Sequence, residues 1–237
     1  MRLLRHLGLD PREHPPAPVV GTFGVFLAAV LLVLAPSAAG KLAAAAGWDR
    51  RWYLFLVVIP VALASRVLVT AAAFGGWRQL IRLVGVPAQR DLRAGLLGFT
   101  LAMDASLLVL VVGRLFGHQV ERGLDQYFAA GRPWLFGVIA LLQSFVAAPV
   151  GEELLARGLV QRSLLDRGVR PIVAIAASSV VFGADHYALR THDPVQLSAY
   201  VGIGAALGWV SWYTGRLMPT MIGHSLFNIV LAVRSRI

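Results

Sequence analysis

Long apolar runs, separated by short basic segments, limit how this chain can fold more than any other feature. A helix needs about 20 apolar residues to cross the hydrocarbon layer of a membrane, and seven runs approach that length. They lie at 19–39, 52–74, 94–113, 134–150, 172–184, 197–213 and 217–233. We therefore predict an all-α fold, a polytopic transmembrane helical bundle of about seven spans, with six to eight as the range.

Composition supports this assignment and excludes other classes of protein. The mean hydropathy is +0.70 and only 14% of the residues are charged, which is too apolar for a single soluble domain. The chain has no cysteine, which excludes disulfides, thiol nucleophiles and thiolate metal sites. The net charge of +10 lies mostly between the apolar runs, as is typical of charge that sets topology and contacts anionic lipid. We predict the lipid bilayer as a partner and no binding of nucleic acid.

Two adjacent acids and a following arginine, Glu152, Glu153 and Arg157, border one of these runs. We expect residues 134–165 to form one long helix, kinked at Pro149. An ionisable side chain at membrane depth costs about 2.5 to 3.5 kcal/mol on insertion scales. Three such side chains together therefore indicate a functional site.

Helical geometry predicts different surroundings for the two acids. Glu153 and Arg157 are four residues apart with the acid first, which is the favourable order for an ion pair. Glu152 points about 100° away, and its neighbour one turn later is Ala156. We predict that Arg157 holds Glu153, while Glu152 faces a cavity as a candidate general base. In an alternative interpretation, the span breaks at Gly151 and water solvates both acids.

Two histidine elements follow in the later apolar runs. Phe182 and His186 are stacked on one helical face, and so are His224 and Asn228 in the last run. A lone histidine in a membrane helix is usually a hydrogen-bonding residue between helices. Three polar elements in three of the last four helical segments favour a different interpretation. We expect them to converge with Glu152 on one polar, water-holding pocket, which hydrolysis inside a membrane requires.

In this order, the elements Glu-Glu-x-x-x-Arg, Phe-x-x-x-His and His-x-x-x-Asn resemble the signature of the CPBP family. This family contains the type II CAAX prenyl proteases and the bacteriocin-processing, Abi-like intramembrane endopeptidases. The resemblance covers roughly residues 134–233. It implies one integral membrane domain with N-terminal transmembrane helices at 1–133 and a catalytic helical core at 134–237. Asp185, next to the motif histidine, is an unusual polar neighbour that orients His186 or marks the helix end.

The resemblance also implies a glutamate-dependent peptidase. In the implied mechanism a glutamate and a histidine activate a water for attack on the scissile carbonyl, and a second histidine and an asparagine stabilise the oxyanion. The residues in these positions are Glu152 with His186 and His224 with Asn228, and the supporting pair is Glu153 with Arg157.

Zinc is an open alternative to this metal-free mechanism. A carboxylate and two histidines form a known catalytic zinc site, and the family has often been described as metalloproteases. The ligands would be Glu152, His186 and His224. The usual cue of two histidines four residues apart with a glutamate beside the first is missing, and the Asn228 amide is a poor zinc ligand. We favour a mechanism without a metal or other cofactor.

Two further features have structural interpretations. The spacing of Gly204 and Gly208 lets helices approach closely, and we expect packing inside the bundle rather than dimerisation. Arg66 and Asp104 are the charges well inside the second and third apolar runs. We expect them to pair across helices or to line an access path for the substrate.

Together these observations predict an intramembrane endopeptidase that cuts a peptide or protein presented at the membrane. The alternatives are a non-catalytic membrane scaffold or bacteriocin-immunity protein of the same fold, and a transporter with a proton or metal relay. The complete catalytic set argues against the scaffold, and the lack of an inverted repeat argues against the transporter. The alanine-, arginine- and leucine-rich composition is typical of GC-rich bacterial genomes, so we predict a multi-pass protein of a bacterial cytoplasmic membrane. The pattern selects no particular substrate and no oligomeric state.

Overall fold

The computed structural model describes residues 17–48, 54–118, 138–139, 141–189 and 193–234. Every regular element in these ranges is helical, which confirms the all-α prediction. The helices are α1 (Thr22–Ala45), α2 (Ile59–Ala73), α3 (Trp77–Val84), α4 (Gln89–Leu115), α5 (four consecutive segments, Gln143–Ala147, Ala148–Glu153, Leu154–Gln161 and Arg162–Leu165), α6 (Pro171–Leu189), α7 (Pro194–Thr214) and α8 (Met218–Arg234).

Several of these helices have the length and apolarity of membrane spans. Gly24–Ala45, Leu56–Ala73 and Gln89–Leu115 are long and apolar enough to cross a membrane, and Pro171–His186 and Met218–Ala232 are apolar but shorter. These helices support an integral membrane protein. The count of about seven spans stays a prediction, because part of the run at 134–150 lies outside the described residues.

The α5 helix lies at the centre of the fold. The predicted helix over 134–165 is confirmed for residues 141–165, where it is continuous, and its segments Gln143–Ala147 and Leu154–Gln161 are π-helical. Every residue from 151 to 161 is buried. Both glutamates are therefore buried, with Glu153 fully enclosed, and the alternative of acids solvated at a helix end is wrong.

Two apolar clusters surround α5. On one side it packs against α1 and α2, through the buried residues Leu154, Leu155 and Leu159. On the other side Ala156 joins a cluster with Phe182 of α6 and Phe227 of α8. These two contacts fix the rotation of α5 about its axis, and this rotation sets the directions in which its charged side chains point.

Glycines allow α7 to approach its neighbours closely. A Cβ atom at Gly204 would lie 2.9 Å from Ser179 Cα on α6, and one at Gly208 would lie 2.8 Å from Gln161 Oε1 on α5. Gln161 Nε2 donates to the Gly208 carbonyl at 2.8 Å. The prediction that this glycine pair packs inside the bundle is confirmed.

The α4 helix lies at the edge of the fold and packs against α7 and α8. Small residues line the packed face, where a Cβ atom at Gly95 would approach Ile222 Cγ2 to 2.7 Å. The opposite face exposes large apolar side chains, among them Leu107 and Leu108. Such a one-sided arrangement is typical of a helix between a protein bundle and lipid.

Candidate active site

Arg157 holds Glu153 at the centre of the bundle, as the spacing predicts. Arg157 Nη1 donates to Glu153 Oε1 at 2.9 Å, and both side chains are completely buried. Its other terminal nitrogen donates to the Gly204 carbonyl at 2.8 Å. The guanidinium also lies 4.6 Å from the centre of the Phe182 ring, in a cation–π contact. A buried ion pair needs such additional contacts, because each of its ions has lost its hydration.

Glu153 also orients a histidine, a contact that the sequence analysis did not predict. His224 Nδ1 lies 3.0 Å from Glu153 Oε1. An ionised carboxylate only accepts hydrogen bonds, so His224 donates from Nδ1. This leaves its Nε2 atom facing Glu152 Oε2 at 3.6 Å. One carboxylate thus holds both Arg157 and His224.

His186 is held in an equivalent way by the backbone. Its Nδ1 atom lies 2.9 Å from the Phe182 carbonyl oxygen, which can only accept a hydrogen bond. The His186 ring stacks on Tyr200 with 3.9 Å between ring centres, and Phe182 lies 4.6 Å away on the same measure. His186 Nε2 therefore faces Glu152 Oε2, at 3.5 Å.

Glu152 and the two histidines thus converge, as the sequence analysis expects. Their side chains come from α5, α6 and α8, and each is at least 95% buried. Both histidines present Nε2 to the same carboxylate oxygen, because a partner occupies Nδ1 in each ring. The distances of 3.5 and 3.6 Å exceed those of ordinary hydrogen bonds, so the two imidazoles lie next to Glu152 Oε2 without a direct hydrogen bond of normal length.

Asn228 lies on the same face of α8 but bonds elsewhere. Its Nδ2 atom donates to the Ser144 carbonyl at 2.7 Å, and Ser225 Oγ donates to the Phe145 carbonyl at 2.7 Å. Both carbonyls belong to the π-helical turn Gln143–Ala147, where the wider i to i+5 spacing changes the backbone pairing. The hydrogen bond described for Asn228 therefore joins α8 to α5, and its amide keeps a second N–H.

A family comparison agrees with these three motifs. Residues 133–230 match the family model for the type II CAAX prenyl endopeptidases, Rce1-like. This segment is therefore similar to the Rce1-like proteins. The matched range confirms the resemblance to the CAAX proteases of the CPBP family and its predicted extent. Comparison with curated proteins and with solved structures gave no match.

One charged residue of the matched segment, Asp185, binds an arginine that lies outside the matched range. Arg66 of α2 donates from Nη2 to Asp185 Oδ1, and both side chains are 3% exposed. The predicted pairing of Arg66 with Asp104 is wrong, because Asp104 lies on the exposed face of α4. Asp185 binds an arginine on another helix, a role that the sequence analysis did not consider.

Tyr200 also belongs to the site, and it was not predicted from the sequence. It contacts His186 from α7 by ring stacking. Its spacing carried a usable signal, because Tyr200, Gly204 and Gly208 are four residues apart and share one helical face. Packing of the two glycines inside the bundle therefore also turns Tyr200 toward the bundle.

The residues present can also be tested as ligands for a metal. In the described chain, Glu152, Asp185 and His186 offer ligand atoms within 4.8 Å of one another. Asp185 already binds the Arg66 guanidinium, whose positive charge opposes a cation there. Glu152, His186 and His224 are residue types that zinc accepts as ligands, so the predicted set fits a metal by its chemistry. The described group whose ligand atoms lie within 4.8 Å of one another contains Asp185 in place of His224.

Proposed function

We propose that this protein is an intramembrane endopeptidase that hydrolyses a peptide bond of a membrane-presented protein or peptide. The observation that carries the proposal is the convergence of Glu152 Oε2 with the Nε2 atoms of His186 and His224 inside the bundle. The Rce1-like match supplies the class of reaction.

Glu152 and His186 activate the attacking water in this proposal. A water between them donates a proton to the Glu152 carboxylate as its oxygen bonds to the scissile carbonyl carbon. The π electrons of that carbonyl move onto its oxygen and form a tetrahedral oxyanion. The oxyanion collapses and breaks the carbon–nitrogen bond, and Glu152 returns the proton to the leaving amine. The Phe182 carbonyl and the Tyr200 ring keep His186 Nε2 directed at the water.

His224 and Asn228 stabilise the oxyanion. Glu153 accepts from His224 Nδ1 and holds the ring with Nε2 toward the substrate, and a proton on Nε2 would be donated to the oxyanion in a hydrogen bond. Asn228 uses one N–H on the Ser144 carbonyl and has a second N–H for the substrate. These donors are held before the reaction, which is the condition for strong electrostatic stabilisation in a dry site.

A metal-free reaction remains our preference, with zinc as the alternative. Zinc would be held by Glu152, His186 and His224 and would polarise the substrate carbonyl. In that case the Glu153 contact to His224 and the Phe182 contact to His186 would direct Nε2 at the metal. The same contacts thus serve either mechanism.

The experiment is cleavage of fluorogenic peptides by the full-length protein in lipid nanodiscs. The probes are a peptide with a prenylated cysteine near its carboxyl terminus and the same peptide without the lipid. We expect Glu152→Gln to lower kcat about 100- to 10,000-fold, and His186→Ala and His224→Ala to lower it strongly, with unchanged thermal denaturation. Asp166→Asn is the matched acid-to-amide control outside the site.

The outcomes separate the alternatives. Full activity of Glu152→Gln contradicts the general-base assignment. Loss of activity with a chelator, followed by recovery with zinc, overturns the metal-free preference. If the protein and every variant bind a membrane peptide and cleave none, the non-catalytic scaffold is the better description.

A further inference from the structure

Two arginines lie in the bundle beside the candidate catalytic groups, and only one of them belongs to a recognised motif. Arg157 binds Glu153 within α5, whereas Arg66 reaches from α2 to Asp185 on α6. Both Arg66 and Asp185 are buried, so neither charge is balanced by water. The Arg66–Asp185 pair joins two helices through residues that are 119 positions apart in the chain.

The side chain of Arg66 passes next to Glu152, the candidate general base. A Cβ atom at Gly151 would lie 3.4 Å from Arg66 Cδ, so the side chain crosses α5 at the residue before Glu152. At its other end the guanidinium binds Asp185, the residue before His186. Arg66 therefore contacts the chain next to both of the groups that would activate the water in the proposed mechanism.

We propose that Arg66 is a positioning residue of the active site and that α2 is a required part of it. This inference rests on the proposed endopeptidase function. By holding Asp185, Arg66 fixes the turn of α6 that carries His186 and keeps the Asp185 carboxylate from displacing that of Glu152. Two acids within 4.8 Å repel each other unless a cation binds one of them. The active site then extends beyond the Rce1-like segment at 133–230.

The test compares this ion pair with a second buried pair that contacts none of the candidate catalytic residues in the described hydrogen bonds. Arg216 Nη2 lies 3.0 Å from Asp91 Oδ2, and both side chains are at most 9% exposed. We expect Arg66→Met to lower both thermal stability and kcat, and the double variant Arg66→Met with Asp185→Asn to recover stability. In the double variant we expect kcat to stay about 10- to 100-fold low with KM little changed. Arg66→Lys should retain more activity than Arg66→Met, because it keeps the charge.

The matched control is Arg216→Met with Asp91→Asn, which should leave kcat unchanged. Recovery of full kcat in the Arg66 and Asp185 double variant would overturn the proposal. A readout without substrate separates this from failure of the proposed function: the ¹⁵N resonances of the His186 imidazole. We expect these to shift in the Arg66 and Asp185 double variant and not in the control, whether or not any peptide is cleaved. Unchanged His186 resonances would contradict the positioning role.

A second inference concerns the exposed face of α4. Asp104 lies in the middle of a stripe whose members are spaced three or four residues apart and are all exposed, namely Leu96, Thr100, Leu107, Leu108 and Val111. About 15 residues precede Asp104 in α4 and about 11 follow it, which places the carboxylate roughly 16 to 22 Å from the helix ends. Its short side chain cannot reach the membrane surface from there. Within the described ranges Asp104 makes no hydrogen bond or ion pair.

We infer that this stripe is an interaction surface for a transmembrane helix that carries a lysine or arginine at mid-depth. A carboxylate that faces lipid at the centre of a span is costly and typically pairs with a cation. The leucines and valine around Asp104 offer the apolar contact that such a helix needs. The opposite charge in the partner supplies the specificity.

The test uses a synthetic helix of about 20 leucines and alanines with one central lysine. Energy transfer in lipid vesicles measures its association with the labelled full-length protein. We expect it to associate about 5- to 30-fold more tightly than the same peptide with a central leucine. Asp104→Leu should remove this difference, whereas Leu92→Ala, on the exposed surface near the start of α4, should not. Equal association of the two peptides, or an unchanged preference in Asp104→Leu, would overturn the inference.

Discussion

The two long helices α5 and α4 meet opposite surroundings. In α5 every residue from 151 to 161 is buried in protein, whereas only 22% of the most apolar window of α4 is buried. Correspondingly, the acid Glu153 in α5 binds an arginine and a histidine, whereas Asp104 in α4 lies on the exposed face. The helix α4 therefore exposes an apolar face at the edge of the bundle, whereas α5 carries buried charged residues at its centre.

We expect the largest effect on stability when one of the buried charges in α5 is removed. Arg157→Met leaves the Glu153 carboxylate buried without its arginine, and we expect a loss of about 3 to 5 kcal/mol in the free energy of unfolding. Thermal denaturation in detergent micelles measures the change. Little or no destabilisation would show that water reaches Glu153 and that α5 is less enclosed than described.

A double substitution that removes both charges of this pair tests whether the loss of stability comes from the uncompensated charge. We expect Glu153→Gln with Arg157→Met to recover most of the lost stability, because no uncompensated charge remains. Peptide cleavage should stay low, because His224 then lacks the carboxylate that accepts from Nδ1. Recovery of both stability and cleavage would limit Glu153 to a purely structural role.

A smaller effect follows from apolar packing. Leu159 of α5 is completely buried, whereas Leu108 of α4 is 65% exposed. We expect Leu159→Ala to destabilise the protein by about 2 to 5 kcal/mol, because a cavity remains in the core. Leu108→Ala, the matched control, should change stability by about 0.5 kcal/mol or less. Equal effects would mean that another surface covers α4.

The smallest expected effect lies at the amino-terminal end of α7. Burial acts to raise the pKa of Asp193, but hydrogen bonds from His118 and from the N–H groups of Val195 and Gln196 outweigh it and lower the pKa. A lowered pKa stabilises the fold above the unfolded value of about 3.9, and this stability is lost as the pH falls through the folded value. We expect Asp193→Ala to cost about 1 kcal/mol at neutral pH.

The measurement for this last case is thermal denaturation between pH 3 and pH 7. Asp193→Asn keeps the helix cap and is the control, and its stability should depend less on pH than that of the unchanged protein. An identical pH dependence in both proteins would contradict the assignment to Asp193.

The contacts that follow from helical spacing were predictable from the sequence. The Glu153–Arg157 pair and the shared faces of Phe182 with His186 and of His224 with Asn228 need only the helical period. The partner of Arg66 was not predictable in this way. Its charge inside an apolar run signalled a buried partner, but the choice of Asp185 over Asp104 depends on how α2, α5 and α6 pack together.

The π-helical turns could not be predicted from the sequence pattern either. The helix through 141–165 was expected, yet the turn Gln143–Ala147 presents carbonyls to Ser225 and Asn228. Asn228 therefore has a structural bond that its motif does not reveal. Whether a backbone shifts locally from i+4 to i+5 spacing depends on partners from other helices, and a single segment does not contain that information.

The hydrogen bonds from α5 to the glycine carbonyls of α7 have a mechanical consequence. Arg157 binds the Gly204 carbonyl and Gln161 binds the Gly208 carbonyl, at the same four-residue interval on both helices. A slide of α7 by one residue along α5 would break both bonds in a place where water cannot replace them. We therefore expect the two helices to move together, and in the proposed peptidase a substrate would enter between other helices.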